Sequence, residues 1–147
     1  SMIIFPDTDP LIEFAYPLRS RYGETDKMGV VYHGNFLDYF EVARTEMIRS
    51  YGITYKHMED EGIMLPVIDA ALAFKIPVQY DEPVQVKVMI FDQPGIRLIT
   101  YYKVVSEITK KECVHGKVTL CFMSAETRRP IRAPEYFIEK MDLAITG

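Results

Sequence analysis

Tyr22-Gly-Glu-Thr-Asp26-Lys-Met-Gly29-Val-Val-Tyr32-His33-Gly-Asn-Phe36-Leu-Asp-Tyr-Phe-Glu41-Val-Ala-Arg44-Thr-Glu46 is the stretch on which the fold turns. It carries a strand-like run through a turn holding one acid, Asp26, and one imidazole, His33, straight into a helical pattern. From there Phe36, Phe40, Ala43, Met47 and Tyr51 recur every three or four residues, with Asp38, Glu41, Thr45, Glu46 and Arg49 between them. Asn35 is the predicted N-cap and Gly52 the predicted terminator of this helix of about four turns. Glu41 and Arg44 fall at near-neighbour helical spacing, which predicts a surface or interface pair.

Outward from the helix the period changes. Residues 54–61 predict a short second helix ending at Gly62. Residues 64–75, 83–92, 96–108 and 112–126 are β-branched and aromatic runs separated by turn compositions. Residues 11–21 predict a strand before the long helix, and residues 134–141 a last short helix with proline in its first turn. The order is strand, long helix, then a meander of four strands. That is an α+β layer architecture, with one antiparallel sheet wrapped around a central helix. The sheet face turned away from the helix carries Ile99, Tyr101, Cys121 and Met123, which predicts oligomerisation through it.

Size and composition bound the class. A chain of 147 residues is one domain, read as 1–147 with residues 1–10 an N-terminal extension and Ser1 a cloning scar. The formal charge of −4 and the absence of a basic stripe argue against nucleic acid as partner. No run reaches the ~18 apolar residues of a membrane span, and no basic leader precedes a small-residue cleavage site. Cys113 and Cys121 lie about 26 Å apart along one predicted strand, too far to bridge. Reduced thiols predict a cytoplasmic protein.

None of the five serines sits in a strand–turn–helix elbow, and no phosphate-cradling glycine loop is present. His33, His57 and His115 stand on separate elements without metal spacing, so no metal and no resident cofactor is expected. Asp26 is left as the reactive group. Gly29 permits a tight turn beside the helix, while Val30, Val31 and Tyr32 read as a pocket wall. Unpaired amides at the start of the helix would polarise a carbonyl seated there. An ionised carboxylate could attack that carbonyl or take a proton from water, and either route suits a thioester because a thiol leaves readily. Glu24 reads as a turn residue. Arg128, Arg129 and Arg132 form a basic cluster suited to phosphates, or else a solvated tail.

The pattern Tyr22-x-x-Thr25-Asp26-x-x-Gly29-Val30-Val31-Tyr32-His33-x-x-Phe36, followed by Glu41-x-Ala43-Arg44, resembles the signature of hotdog-fold acyl-CoA thioesterases. The nearest branch is the 4-hydroxybenzoyl-CoA thioesterase-like group with the Tol–Pal-associated enzymes, and the resemblance covers residues 12–140. It implies a hotdog fold, a long central helix wrapped by a five- or six-stranded antiparallel sheet. It further implies Asp26 as nucleophile or general base, the His33 N–H as oxyanion donor, and the His33 side chain and Tyr22 as assistants. Gly29, Val30, Val31, Tyr32, Arg128 and Arg129 become candidate substrate contacts. Coenzyme A enters only as part of the substrate. The sites form between subunits, with a dimer the minimum and a homotetramer expected. An acyl-carrier-protein thioesterase and a non-catalytic acyl-binding protein are the alternatives.

Overall fold

The computed structural model describes residues 2–146, so Ser1 and Gly147 lie outside the described residues. Its frame is a five-stranded antiparallel sheet of β1 (Ile12–Arg19), β3 (Val67–Phe74), β4 (Pro83–Ile90), β5 (Arg97–Ser106) and β6 (Glu112–Cys121), in the order β1-β4-β5-β6-β3. The expected four-strand meander is therefore incomplete. Strands β4, β5 and β6 follow one another, but β3 pairs with β6 at the far edge. Residues 75–82 carry the chain from β3 to β4 across three strand spacings. That is about 14 Å, well inside the ~26 Å reach of eight extended residues. Local alternation fixes which face a residue takes, not which strand becomes its neighbour.

The long helix α1 (Asn35–Ser50) lies on one face of the sheet and buries Phe36, Tyr39, Phe40, Ala43, Met47 and Ile48. These meet the inward residues Val84, Val86, Val88, Leu98, Val104 and Val118, each side chain contributing roughly 1.5–3 kcal/mol when fully buried. Phe40, 0 % exposed, stacks on Tyr102 with centroids 4.2 Å apart and planes 14° apart. A Cβ at Gly116 would overlap the Phe40 ring, so the glycine is the notch that seats the helix on β6.

Two helix expectations change. Gly34, not Asn35, precedes the helix, with helical dihedrals and no side-chain cap, and the Asn35 side-chain amide donates to the Glu24 carbonyl at 2.8 Å. Arg44 is no surface partner of Glu41. It is 4 % exposed and its Nη1 donates to the Tyr102 hydroxyl at 2.9 Å. It sits four residues after Phe40 and three before Met47, on the buried stripe.

Helix α2 (Tyr55–Asp60) is capped by Thr54, whose hydroxyl accepts from the His57 amide at 3.1 Å. The two-residue strands β2 (Ile63–Met64) and β7 (Met123–Ser124) pair with each other. Helix α3 (Glu135–Thr146) runs longer than expected and buries Phe137 and Met141. The outer sheet face is partly covered by the chain's own N-terminus. Ile3, 9 % exposed, packs with Ala73, Met89 and Tyr101, and the Phe5 ring lies 5.5 Å from Tyr101 and 4.9 Å from His115. Both cysteines are free and buried on β6. Among the described residues no helix is long and apolar enough to cross a membrane.

Candidate active site

After β1 a single 3-10 turn, Tyr22–Glu24, leads into a small hairpin. Thr25 bridges Val31, and the Asp26 amide donates to the Val30 carbonyl at 2.8 Å. Gly29 closes the turn at φ 78°, a conformation that glycine adopts without strain. The Asp26 side chain helps to build this turn, because Oδ1 accepts from the amides of Met28 at 2.8 Å and Val30 at 3.3 Å. Its Oδ2 makes no hydrogen bond among the described residues. One oxygen is held and the other is unengaged among the described residues.

The hairpin is sewn to the segment that crosses the sheet end. The Val31 amide donates to the Val78 carbonyl at 2.8 Å and the Tyr80 amide to the Gly29 carbonyl at 3.0 Å. Tyr22, 78 % exposed, meets Tyr80 edge-on with centroids 5.6 Å apart. Tyr22, Thr25, Asp26, Lys27, Gly29 and Tyr80 line an open depression of about 390 Å³.

His33 borders a different depression, of about 240 Å³, lined by Val31, Phe36, Phe74, Ile76 and Val78 among others. Its ring lies 4.2 Å from that of Tyr32 and 6.1 Å from that of Phe74. The structure thus brings Tyr22, Asp26 and Gly29 together and places Val31 and His33 across the hairpin from them. Val30 is half-buried and Tyr32 exposed, so only Val31 is a buried wall. At the helix start the amides of Asn35 and Phe36 already donate to Tyr32 and His33 carbonyls at 3.0 and 3.3 Å. The amides of His33 and Gly34 make no hydrogen bond among the described residues, and the helix dipole adds positive potential there.

Arg128 and Arg129 stand exposed in the turn after β7 and border neither depression. That turn lies off the sheet end where Cys121 pairs with Arg97, whereas Phe74 leads into the Asp26 end. Along β6 the two ends are roughly 30 Å apart. Near the basic end, Arg97 and Arg132 frame a depression of about 720 Å³ floored by Ile68, Ile96, Cys121 and Met123. Arg97 was not singled out by sequence, because a lone strand arginine carries no motif. His57 lies exposed, edge-on to Tyr136, and His115 pairs with Glu112 at 2.6 Å, outside the site. Among the described residues no cluster of His, Cys, Asp and Glu side chains is placed to hold a metal ion.

Residues 20–141 match the thioesterase-like superfamily. The chain is 33 % identical over 117 residues to YneP of Bacillus subtilis, described as a candidate acyl-CoA thioesterase, covering 80 % of this chain and 84 % of that one. It is 28 % identical over 93 residues to the acyl-CoA thioester hydrolase YbgC of Escherichia coli O157:H7, covering 63 % and 69 %. The solved DHNA-CoA thioesterase of Staphylococcus aureus superposes with a TM-score of 0.81 at 34 % identity, over 91 % of this chain and 89 % of that one. With its five-stranded sheet wrapped on one long helix, this chain belongs to the thioesterase-like superfamily and has the hotdog fold.

Proposed function

We propose that this protein hydrolyses acyl-CoA thioesters to a free carboxylic acid and coenzyme A, with Asp26 as the reacting carboxylate. The supporting observation is Asp26 itself, with one oxygen tethered by two amides and the other unengaged, on the hairpin that runs into the free amides of His33 and Gly34. A thioester oxygen between those amides would find its developing charge stabilised. As nucleophile, Oδ2 bonds to the carbonyl carbon, the thiolate leaves and takes a proton, and water cleaves the resulting anhydride. As general base, it takes a proton from the water that attacks. The geometry admits both routes.

One protomer leaves the site open, and we propose that a second copy completes it. Strand β3 is an edge whose Val67, Ile68 and Phe74 are exposed, Phe74 to 54 %. Antiparallel pairing of β3 with its copy would reverse direction across the seam. The basic end of one subunit would then lie beside the Asp26 end of the other. Arg97 and Arg132, with Arg128 and Arg129, would meet the phosphates of coenzyme A from the partner side. A tetramer would use the outer face, where Met2, Ile4 and Ile99 stay exposed around the N-terminal segment. Tyr22 and His33 favour the Tol–Pal-associated branch.

Thiol release from benzoyl-CoA and hexanoyl-CoA, followed with a chromogenic disulfide reagent, tests the assignment. Asp26→Asn keeps the Oδ1 acceptor of the turn and is expected to lower kcat by about 10²–10⁴-fold. Full activity in the variant would refute the role of Asp26, and no thiol release by the unsubstituted protein would leave the acyl-binding alternative. The basic end also suits an acidic acyl carrier protein. Offering one acyl group on both carriers separates the two substrates.

A further inference from the structure

Glu24 is the most heavily bonded acid in the neighbourhood of the site, and nothing in the hydrolysis uses it. Its side chain is 18 % exposed, and Oε1 accepts from the Arg21 amide at 2.6 Å and the Tyr39 hydroxyl at 2.9 Å. The Arg21 guanidinium approaches Oε2 at 3.4 Å. The Glu24 carbonyl accepts twice more, from the Tyr32 amide and the Asn35 side-chain amide, both at 2.8 Å. One residue therefore joins the 3-10 turn, the returning arm of the hairpin and the first turn of α1. It lies two residues before Asp26.

The opposite side of the hairpin is held by backbone bonds to Val78 and Tyr80, which no side-chain substitution removes. Among the described residues the only side-chain acceptor joining the two parts on the helix side is the Glu24 carboxylate, taken by the buried Tyr39 of α1. Burial raises the carboxyl, but the Arg21 amide, the Tyr39 hydroxyl and the Arg21 guanidinium outweigh it and hold it below the ordinary range. Burial and the Glu24 charge in turn push the Tyr39 hydroxyl up, so it stays a donor.

We infer that Glu24 is a positioning residue for thioester hydrolysis. Through Tyr39 it fixes the Asp26 hairpin against the start of α1, and so sets the separation between the attacking oxygen and the free amides of His33 and Gly34. It touches no reacting atom. The inference rests on the proposed role of Asp26. Misplacement of a reacting group by about 1 Å costs on the order of 10²-fold in rate, so a modest slackening of the hairpin would be visible in kcat.

The experiment uses steady-state hydrolysis of benzoyl-CoA by Glu24→Ala, Glu24→Gln, Tyr39→Phe and Asp26→Asn, each checked for folding by circular dichroism and thermal unfolding. Glu24→Ala is expected to lower kcat about 10–100-fold while KM moves less than threefold. Glu24→Gln keeps an oxygen that accepts from the Arg21 amide and Tyr39, and is expected to recover to within about fivefold of the unsubstituted protein. Tyr39→Phe should reproduce part of the Ala defect and add nothing to it in the double variant. A merely structural role would lower Tm in both Glu24 variants without separating kcat from KM. Unchanged kcat in folded Glu24→Ala, or a Gln variant as slow as Ala, overturns the inference. If Glu24→Ala does not fold, the Gln and Tyr39→Phe pair decides by the same criteria. Activity retained in Asp26→Asn sinks the role of Asp26 instead, which keeps the two failures distinct.

Discussion

Glu24 and Arg44 each end on a tyrosine hydroxyl, Tyr39 of the long helix and Tyr102 of the sheet beneath it, yet their surroundings oppose each other. Glu24 stands at the rim, on a segment outside the sheet, and collects donors from Arg21 and Tyr39. Arg44 stands in the core, and among the described residues its charge meets no carboxylate. Its Nη1 donates to Tyr102, Tyr102 and Thr100 share a hydrogen bond of 2.5 Å, and Thr100 donates to the Val118 carbonyl at 3.0 Å. The Arg44 Nε is buried without a hydrogen-bond partner among the described residues. A rim charge can recruit enough partners to fix a loop in place. A core charge met only by hydroxyls fixes how the helix sits on the sheet at a cost in stability, because desolvating an ion exceeds what neutral acceptors return.

The largest expected effect falls at neither charge but at the group Glu24 serves. Asp26→Asn should remove about 10²–10⁴ of kcat with little change in Tm, since Asp26 is exposed and the turn retains its acceptor. A large fall in Tm would mean that the turn needs the charge, and the rim would then resemble the core.

Next come paired substitutions at Arg44. Tyr102→Phe strips a buried cation of an acceptor and is expected to destabilise by about 2–4 kcal/mol. Arg44→Met keeps volume without charge and is expected to be neutral or stabilising by about 1–3 kcal/mol, read as urea midpoints. A destabilised Arg44→Met would show that the hydroxyls compensate the charge in full. Gly116→Ala should cost about 1–3 kcal/mol by forcing Phe40 off Tyr102. A Tm within 1 °C of the unsubstituted protein, on a scale where 1 kcal/mol moves Tm by roughly 2–8 °C, would show that the helix shifts freely and that Arg44 does not fix its seat.

How far the sequence carried varies between these regions for physical reasons. The helix was legible because Phe36, Phe40, Ala43 and Met47 repeat at its own period, and the strands because residues 64–75, 83–92, 96–108 and 112–126 are β-branched and aromatic runs between turn compositions. Arg44 lies on the same buried stripe, but its charge and nearby Glu41 predicted a surface or interface pair instead. The edge position of β3 was not legible, since pairing is decided by distant neighbours. Asp26, Gly29 and their turn were readable from local chemistry. That Tyr22 shares a depression with Asp26 while His33 lies across the hairpin was not, because strand pairing assigns the sides. The bond from Glu24 to Tyr39 spans fifteen residues and leaves no periodic trace. The arginines were found as a cluster, but Arg97, which helps to frame the cavity beside them, sits on another strand.

The smallest effect is the pH dependence of stability, and it separates the two charges most directly. The folded pKa of Glu24 lies below its ordinary 4.5, as does that of Glu112, where the His115 bond is the main cause. Depressed carboxyls contribute stability that is present above about pH 4.5 and is lost as pH falls through the folded values. The sign reverses for the tyrosines. Burial pushes Tyr51 up to about 12, and Tyr39, Tyr102 and Tyr136 are raised too. Their contribution is present below pH 10 and is lost as pH climbs through those raised values. The Arg44 guanidinium stays charged throughout this range, since arginine keeps its proton in proteins. Urea midpoints from pH 3 to 11 should therefore form a plateau with two falling limbs. Glu24→Gln should flatten the acid limb in part and Glu112→Gln flatten it further, and Tyr51→Phe should soften the alkaline one. Arg44→Met should move the plateau without changing the acid limb. An acid limb unchanged by Glu24→Gln would mean that the Arg21 and Tyr39 bonds hold the neutral carboxyl as firmly as the charged one, so that the rim charge adds no stability beyond what the acceptor oxygen supplies.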